Sequence, residues 1–165
     1  MHILVIVAGK GGRDVLSSSL EQYLIHIYQK TKQGTEIKSG ELTSELNMPL
    51  KKTIQALQRM HYQKYIIYLA YQPITITDKG REMAKYLLSR NELIDEFLEI
   101  LQITEHKQEE SEAMKQYLSK ESLECIDRFV CFVKQYPEII NRYKLYNKRK
   151  IRTKILEASP EEDEE

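Results

Sequence analysis

Tryptophan is absent from this chain of 165 residues, cysteine occurs twice, proline four times and glycine six times. Each scarcity excludes something. Two cysteines cannot build the disulfide framework of a secreted scaffold, and Cys125 and Cys131, six apart on one expected helix, face different ways and cannot pair with each other. So little proline and glycine excludes a collagen-like or low-complexity chain. The longest apolar run, Ile3 to Ala8, falls far short of the roughly 20 residues that a membrane-crossing helix needs. It runs into Gly9-Lys10-Gly11-Gly12, which is not a secretory signal. No membrane partner is expected, and a cytoplasmic location is. Charge is abundant and balanced, 25 basic against 25 acidic side chains, with 41% hydrophobic residues. That supports one mostly helical unit with its own core and a small second lobe.

Enzyme chemistry is also missing. The sequence contains no His-Glu-x-x-His, no Gly-x-Ser-x-Gly, no Cys-x-x-Cys and no glycine-rich nucleotide loop behind a strand, so no enzyme is expected. His2, His26, His61 and His106 fall one per segment, a spacing that builds no imidazole metal cluster. The zero net charge hides an asymmetry. From Pro49 to Tyr65 the charged residues are Lys51, Lys52, Arg59 and Lys64, without an acid. The end carries Glu161, Glu162, Asp163, Glu164 and Glu165 behind Ser159-Pro160, and residues 157–165 are expected to be a disordered acidic tail.

Residues 1–17 differ in character from the rest and admit three readings. A phosphate-cradling loop needs Gly-x-x-x-x-Gly-Lys-Ser/Thr, and here Gly11 follows Lys10 where the hydroxyl should stand. An added strand at a sheet edge is the second. The third, which we favour, is a leader carried into the reading frame. Lys10-Gly11-Gly12-Arg13 can be encoded as AAA-GGA-GGT-AGA, containing a bacterial ribosome-binding sequence, with Val15 as a GTG start.

Beyond this, Ser18 or Ser19 can cap a helix whose apolar stripe is Leu20, Tyr23, Leu24, Ile27 and Tyr28. A short helix from Ser39 to Leu46, with Ser39 as cap, ends at Asn47, a residue suited to a left-handed terminus. Met48-Pro49 restarts a helix over about Leu50 to Tyr62, burying Thr53, Ile54, Leu57 and Met60 and exposing Lys51, Lys52, Gln55, Gln58 and Arg59. Two short helices across a tight turn make a helix-turn-helix. Tyr65 to Leu69 and Ile74 to Thr77 then read as a hairpin, and Thr77 caps a long helix to about Leu101. Further helices are expected near Glu110 to Leu118, Lys120 to Gln135 and Pro137 to about Leu156. The expected fold is mainly α with a small β-hairpin wing. It comprises a winged helix-turn-helix lobe over 18–80 and a helical dimerisation lobe over 81–156, behind the extension or leader of 1–17. The apolar surface of the later helices exceeds what a small winged lobe can cover, so a homodimer is expected.

Three strings in order, Leu20 to Tyr28, Ile76-Thr77-Asp78-Lys79-Gly80 and Arg90 to Leu98, resemble the winged-helix metalloregulators typified by the diphtheria toxin repressor and the manganese transport regulator. The resemblance extends from about Ser19 to Tyr136. It implies a homodimer that binds double-stranded DNA through its first lobe and carries metal and dimer contacts in its second. The SH3-like domain of longer members is not expected in 165 residues. At the positions where the resemblance implies metal ligands, this sequence has Gln22 and Ile25 in the first helix, Asn91 in the long helix, and Glu112, Lys115 and Gln116 beyond it. Asp95 and Gln108 stand where some members have a secondary site. Ile25 offers no donor and Lys115 repels a cation, so a conventional site is not expected. No cofactor is expected, with manganese or ferrous iron as the alternative. Lys115 keeps two readings: an ammonium standing in for the ion between Glu112 and the amides of Gln22 or Gln116, or a lysine that reaches solvent.

The function read from these features is a dimeric, sequence-specific transcriptional regulator that resembles the iron- and manganese-dependent repressors but does not respond to metal in the usual way, with repression and activation both open. Lys51, Lys52 and Gln55 are expected at base edges or adjacent phosphates, and Arg59 and Lys64 on phosphate. The rival is a winged-helix module that binds a protein partner without specific DNA binding.

Overall fold

The computed structural model describes residues 16–147. The expectations for residues 1–15 and for the acidic tail lie outside that range. Seven helices and one two-stranded sheet follow in order: α1 (Ser18–Lys32), α2 (Ser39–Glu45), α3 (Leu50–Tyr62), β1 (Ile66–Ile67), β2 (Thr75–Ile76), α4 (Asp78–Ile100), α5 (Lys107–Tyr117), α6 (Lys120–Gln135) and α7 (Pro137–Asn147). β1 and β2 pair antiparallel, Ile66 opposite Ile76 and Ile67 opposite Thr75. The mainly helical fold with a hairpin wing is the one expected from the sequence.

Local chemistry sets the turns. Asn47 adopts a left-handed φ of 49°, which lets its N–H reach Ser44 O at 3.3 Å and that of Met48 reach Thr43 O at 3.1 Å. This closes α2 and delivers Pro49 to the start of α3. Thr77 caps α4, its Oγ1 accepting from the Gly80 N–H at 3.1 Å and donating toward the carbonyls of Lys64 and Tyr65 at 2.7 and 2.9 Å. Gly80 is dictated by space: a Cβ there would lie 2.0 Å from the Tyr65 carbonyl oxygen. Two caps differ from expectation. α1 is preceded by Ser17 rather than capped by Ser18 or Ser19. Lys38 rather than Ser39 precedes α2, where the Glu41 carboxylate accepts the Lys38 N–H at 2.8 Å. α5 also begins three residues early, because His106 takes a left-handed φ of 52° and starts the helix at Lys107. On α3, Ala56 is buried while Ile54 is half-buried.

Two apolar clusters result. The head cluster joins Leu20, Leu24 and Ile27 of α1 to Leu57 and Met60 of α3, the wing's Ile66 and Ile76, and Ala84 and Leu87 of α4. The helical-lobe cluster is built on Ile94 and Leu98 of α4 and Leu123 of α6. α4, 23 residues long and so roughly 34 Å at the helical rise, is the beam that carries both. Among the described residues no helix is long and apolar enough to cross a membrane.

Candidate nucleic-acid interface

α3 is held at a fixed roll by its buried face. Thr53, Ala56, Leu57 and Met60 pack inward, and the Thr53 hydroxyl lies 3.1 Å from the Tyr23 hydroxyl of α1 in a buried hydrogen bond. This leaves Lys51, Lys52, Gln55 and Arg59 exposed on the opposite side. The first turn of α3 contains no acid and two lysines. Cations there oppose the partial positive charge of a helix start, an arrangement that costs roughly 0.3–1 kcal/mol each unless an anion is bound.

Lys52, Gln55 and Arg59 line one groove of about 420 Å³ together with Ser17, Ser19 and Tyr23 at the start of α1 and Met48 from the turn. Lys51 and Lys64 are exposed outside its lining. Lys64 takes a left-handed φ of 63° just past α3, a conformation that glycine would adopt at lower cost. Sequence reasoning did not place Ser17, Ser19 or Tyr23 at this surface. Ser19 read only as a possible cap and Ser17 carried no reading, whereas hydroxyls at a helix start beside cations are also phosphate-binding chemistry. The neighbouring acid, Glu45, is occupied. Lys30 Nζ and His26 Nε2 lie 2.6 and 2.5 Å from its carboxylate, and these two hydrogen bonds hold its carboxyl below the ordinary value. His61, at the end of α3, accepts the Tyr68 N–H at 3.2 Å on Nδ1, seating the wing against α3. The wing's tip, Tyr71, is 96% exposed.

The positions that the family resemblance marks for metal tell a different story. Gln22 is exposed and Ile25 half-buried against the head core. Asn91 Oδ1 accepts from Arg90 Nε and Nη2 at 3.3 and 3.1 Å. Asp95 Oδ1 accepts from the Ser111 hydroxyl at 2.8 Å, and Glu112 Oε1 from Lys115 Nζ at 2.9 Å within α5. Gln108 and Gln116 are exposed. Lys115 thus donates to a carboxylate of its own helix, and the ammonium is not placed as a bridge between lobes. The buried cation that does connect them is Arg90, which sequence reasoning missed. Its Nη1 and Nη2 donate to Glu21 Oε1 and Oε2 of α1 at 3.1 and 2.7 Å.

Farther along α4, Phe97 meets Phe129 of α6 edge to face at 5.9 Å, and Lys134 Nζ reaches Glu96 Oε1 at 2.7 Å. Phe132 of α6 and Tyr136 just past it are about half exposed, and Leu145 and Tyr146 of α7 more so. That is more aromatic and aliphatic surface than a lone helical pair usually leaves in water.

Residues 77–143 match the family described as iron dependent repressor, metal binding and dimerisation domain. The chain is similar to the HTH-type transcriptional regulator MntR of Listeria monocytogenes serotype 4b, 27% identical over 137 residues, covering 82% of this chain and 96% of the relative. It is also similar to that of Bacillus subtilis strain 168, 25% identical over 118 residues, covering 71% and 83%. Among solved structures, the manganese regulator SloR superposes with a TM-score of 0.61 at 20% identity, covering 71% of this chain and 55% of that one. The metal-dependent transcriptional regulator MtsR does so at 0.61 and 21%, covering 68% and 54%. The chain spans about half the length of these solved structures. The resemblance to metalloregulators stands, and the relatives are regulators rather than enzymes. The expectation of no cofactor, with manganese or ferrous iron only as an alternative, is corrected. The matching domain is a metal-binding one, and its solved neighbours include a metal-dependent regulator and a form of ScaR with bound Zn²⁺. Counting ligand losses position by position misled, because hard ions also take backbone and water oxygens. The residues at the family positions nonetheless do not fit the usual donor set. The Asn91, Asp95 and Glu112 oxygens already accept from Arg90, Ser111 and Lys115. Among the described residues no group of three or more His, Cys, Asp or Glu could hold an ion.

Proposed function

We propose that this chain, a relative of the diphtheria toxin repressor and manganese transport regulator family, is a dimeric, sequence-specific DNA-binding transcriptional regulator of repressor type, acting in the cytoplasm. The observation that carries this reading is the acid-free exposed face of α3, where Lys51, Lys52, Gln55 and Arg59 stand clear of the protein. A helix of this size fits the major groove, and recognition helices read bases with their first turns. Lys51, Lys52 and Gln55 are therefore assigned to base edges or adjacent phosphates, and Arg59 and Lys64 to phosphate.

The lobe of residues 18–80 does the reading and that of 81–156 pairs the chains. The exposed aromatic face of α6 and α7 covers itself against a second copy, as closed two-fold symmetry allows. We assign no metal role to the family's usual ligand positions, where Gln22, Ile25, Asn91 and Lys115 leave few of the oxygen or imidazole donors that a hard divalent ion takes. Any metal response uses other donors.

The test is the salt dependence of DNA binding for two variants. Arg59→Ala should lower affinity for all sequences and reduce the log–log salt slope by about one unit. Gln55→Ala should leave the slope unchanged and relax preference at one base pair. Unchanged binding in both would contradict the assignment of α3 to DNA.

A further inference from the structure

We infer that Arg90 and Glu21 are positioning residues for DNA binding: their buried fork fixes the angle between head and helical lobe. In a dimer it thereby fixes the separation of the two recognition helices. The inference rests on the dimeric DNA-binding reading and adds the device that sets its geometry.

The pair stands where the two cores part. On α4 the head cluster ends with Ala84 and Leu87, and the second cluster begins at Ile94. Between them lies Arg90, 7% exposed. Apolar packing is not directional, so a joint made of it alone could slide or roll. A guanidinium that meets a carboxylate through two parallel hydrogen bonds is directional, because both planes and both distances must match. Here Nη1 and Nη2 take the two oxygens of Glu21, while Nε and Nη2 also donate to Asn91 Oδ1. The fork is therefore locked on its own helix before it reaches α1. Beyond it, the Ser111 hydroxyl ties α5 to Asp95 of α4, extending the polar seam. Glu21 lies in the first turn of α1, two residues from Ser19 of the groove beside α3. A rotation at the joint thus carries directly to the DNA-facing end of the head.

The experiment starts with duplexes selected by the wild-type protein from a randomised pool. Their half-site spacing is then changed by one base pair, which moves one half-site by about 3.4 Å and about a tenth of a turn. Wild type should lose about tenfold or more in affinity for each shifted duplex. The double variant Glu21→Gln with Arg90→Met removes both charges and keeps the volume. It should bind a single half-site as wild type does and bind the shifted duplexes nearly as well as the selected one. Sedimentation and thermal melting check that it folds and dimerises. Should it not fold, Arg90→Lys keeps the charge without the fork and should relax spacing discrimination in the same direction. A folded variant that discriminates spacing as wild type does would overturn the inference and leave the DNA reading intact. A selection that enriches no sequence would overturn the DNA reading and the inference with it.

Discussion

The head and the helical lobe hang on the same helix and solve the burial problem differently. The head closes on itself: α1, α3, the wing and the first half of α4 enclose Leu24, Ile27, Leu57, Met60 and Ile66, each essentially inaccessible. Each such side chain contributes roughly 1.5–3 kcal/mol. The lobe buries Ile94, Leu98 and Leu123 in its cluster and leaves Phe129, Phe132 and Tyr136 about half exposed. One region is finished alone and presents cations. The other is half a core and presents aromatic rings. On the proposed reading, such a chain couples a self-sufficient DNA-reading head to an apolar surface that a second copy would cover.

The sharpest way to break this comparison is at Gly80. An alanine Cβ would meet the Tyr65 carbonyl at 2.0 Å and Ile76 at 2.9 Å, and neither can retreat without opening the wing. Gly80→Ala should destabilise the head by several kcal/mol, at the extreme end of single substitutions, about 4 or more. Thermal melting followed by circular dichroism checks this, and an unchanged melting temperature would mean the wing seats differently. A smaller effect is expected at Phe132, 49% exposed and with its ring tilted against that of Tyr136 at 5.0 Å. Phe132→Lys should weaken dimerisation by about 2 kcal/mol, roughly thirtyfold, in sedimentation equilibrium while leaving the head's stability unchanged. Equal dimer affinity would place the interface elsewhere. The Arg59 salt-slope change is the smallest of the three and concerns the head's surface alone.

How much of this was legible in the sequence varied with the range of the interaction. Asn47 and Thr77 announced their turns because their own side chains and dihedrals decide the matter. The α3 stripe was legible because period 3.6 survives any tertiary detail. Helix starts slipped by a residue at Ser17 and Lys38, since several neighbouring polar residues compete and packing selects among them. Arg90 was not legible at all: its partner Glu21 lies 69 positions away, and no local pattern distinguishes a buried arginine from a solvated one. Lys115 stood out because it occupies a ligand position, yet its partner is its own neighbour Glu112. The outward lysines of α3 were legible, whereas their neighbours Ser17 and Ser19 were not, because only the packing of α1 against α3 brings them together.

The measurement that bears most directly on the central claim is fluorescence anisotropy of the purified full chain on a selected duplex and on its scrambled counterpart. Both are titrated at one salt concentration, with manganese, with ferrous iron and with chelator. The account predicts, in at least one of these conditions, binding to the selected duplex tighter by about three orders of magnitude or more, saturating at two chains per duplex. Equal affinity for the two duplexes in every condition would contradict it and leave the winged head as a protein-binding module.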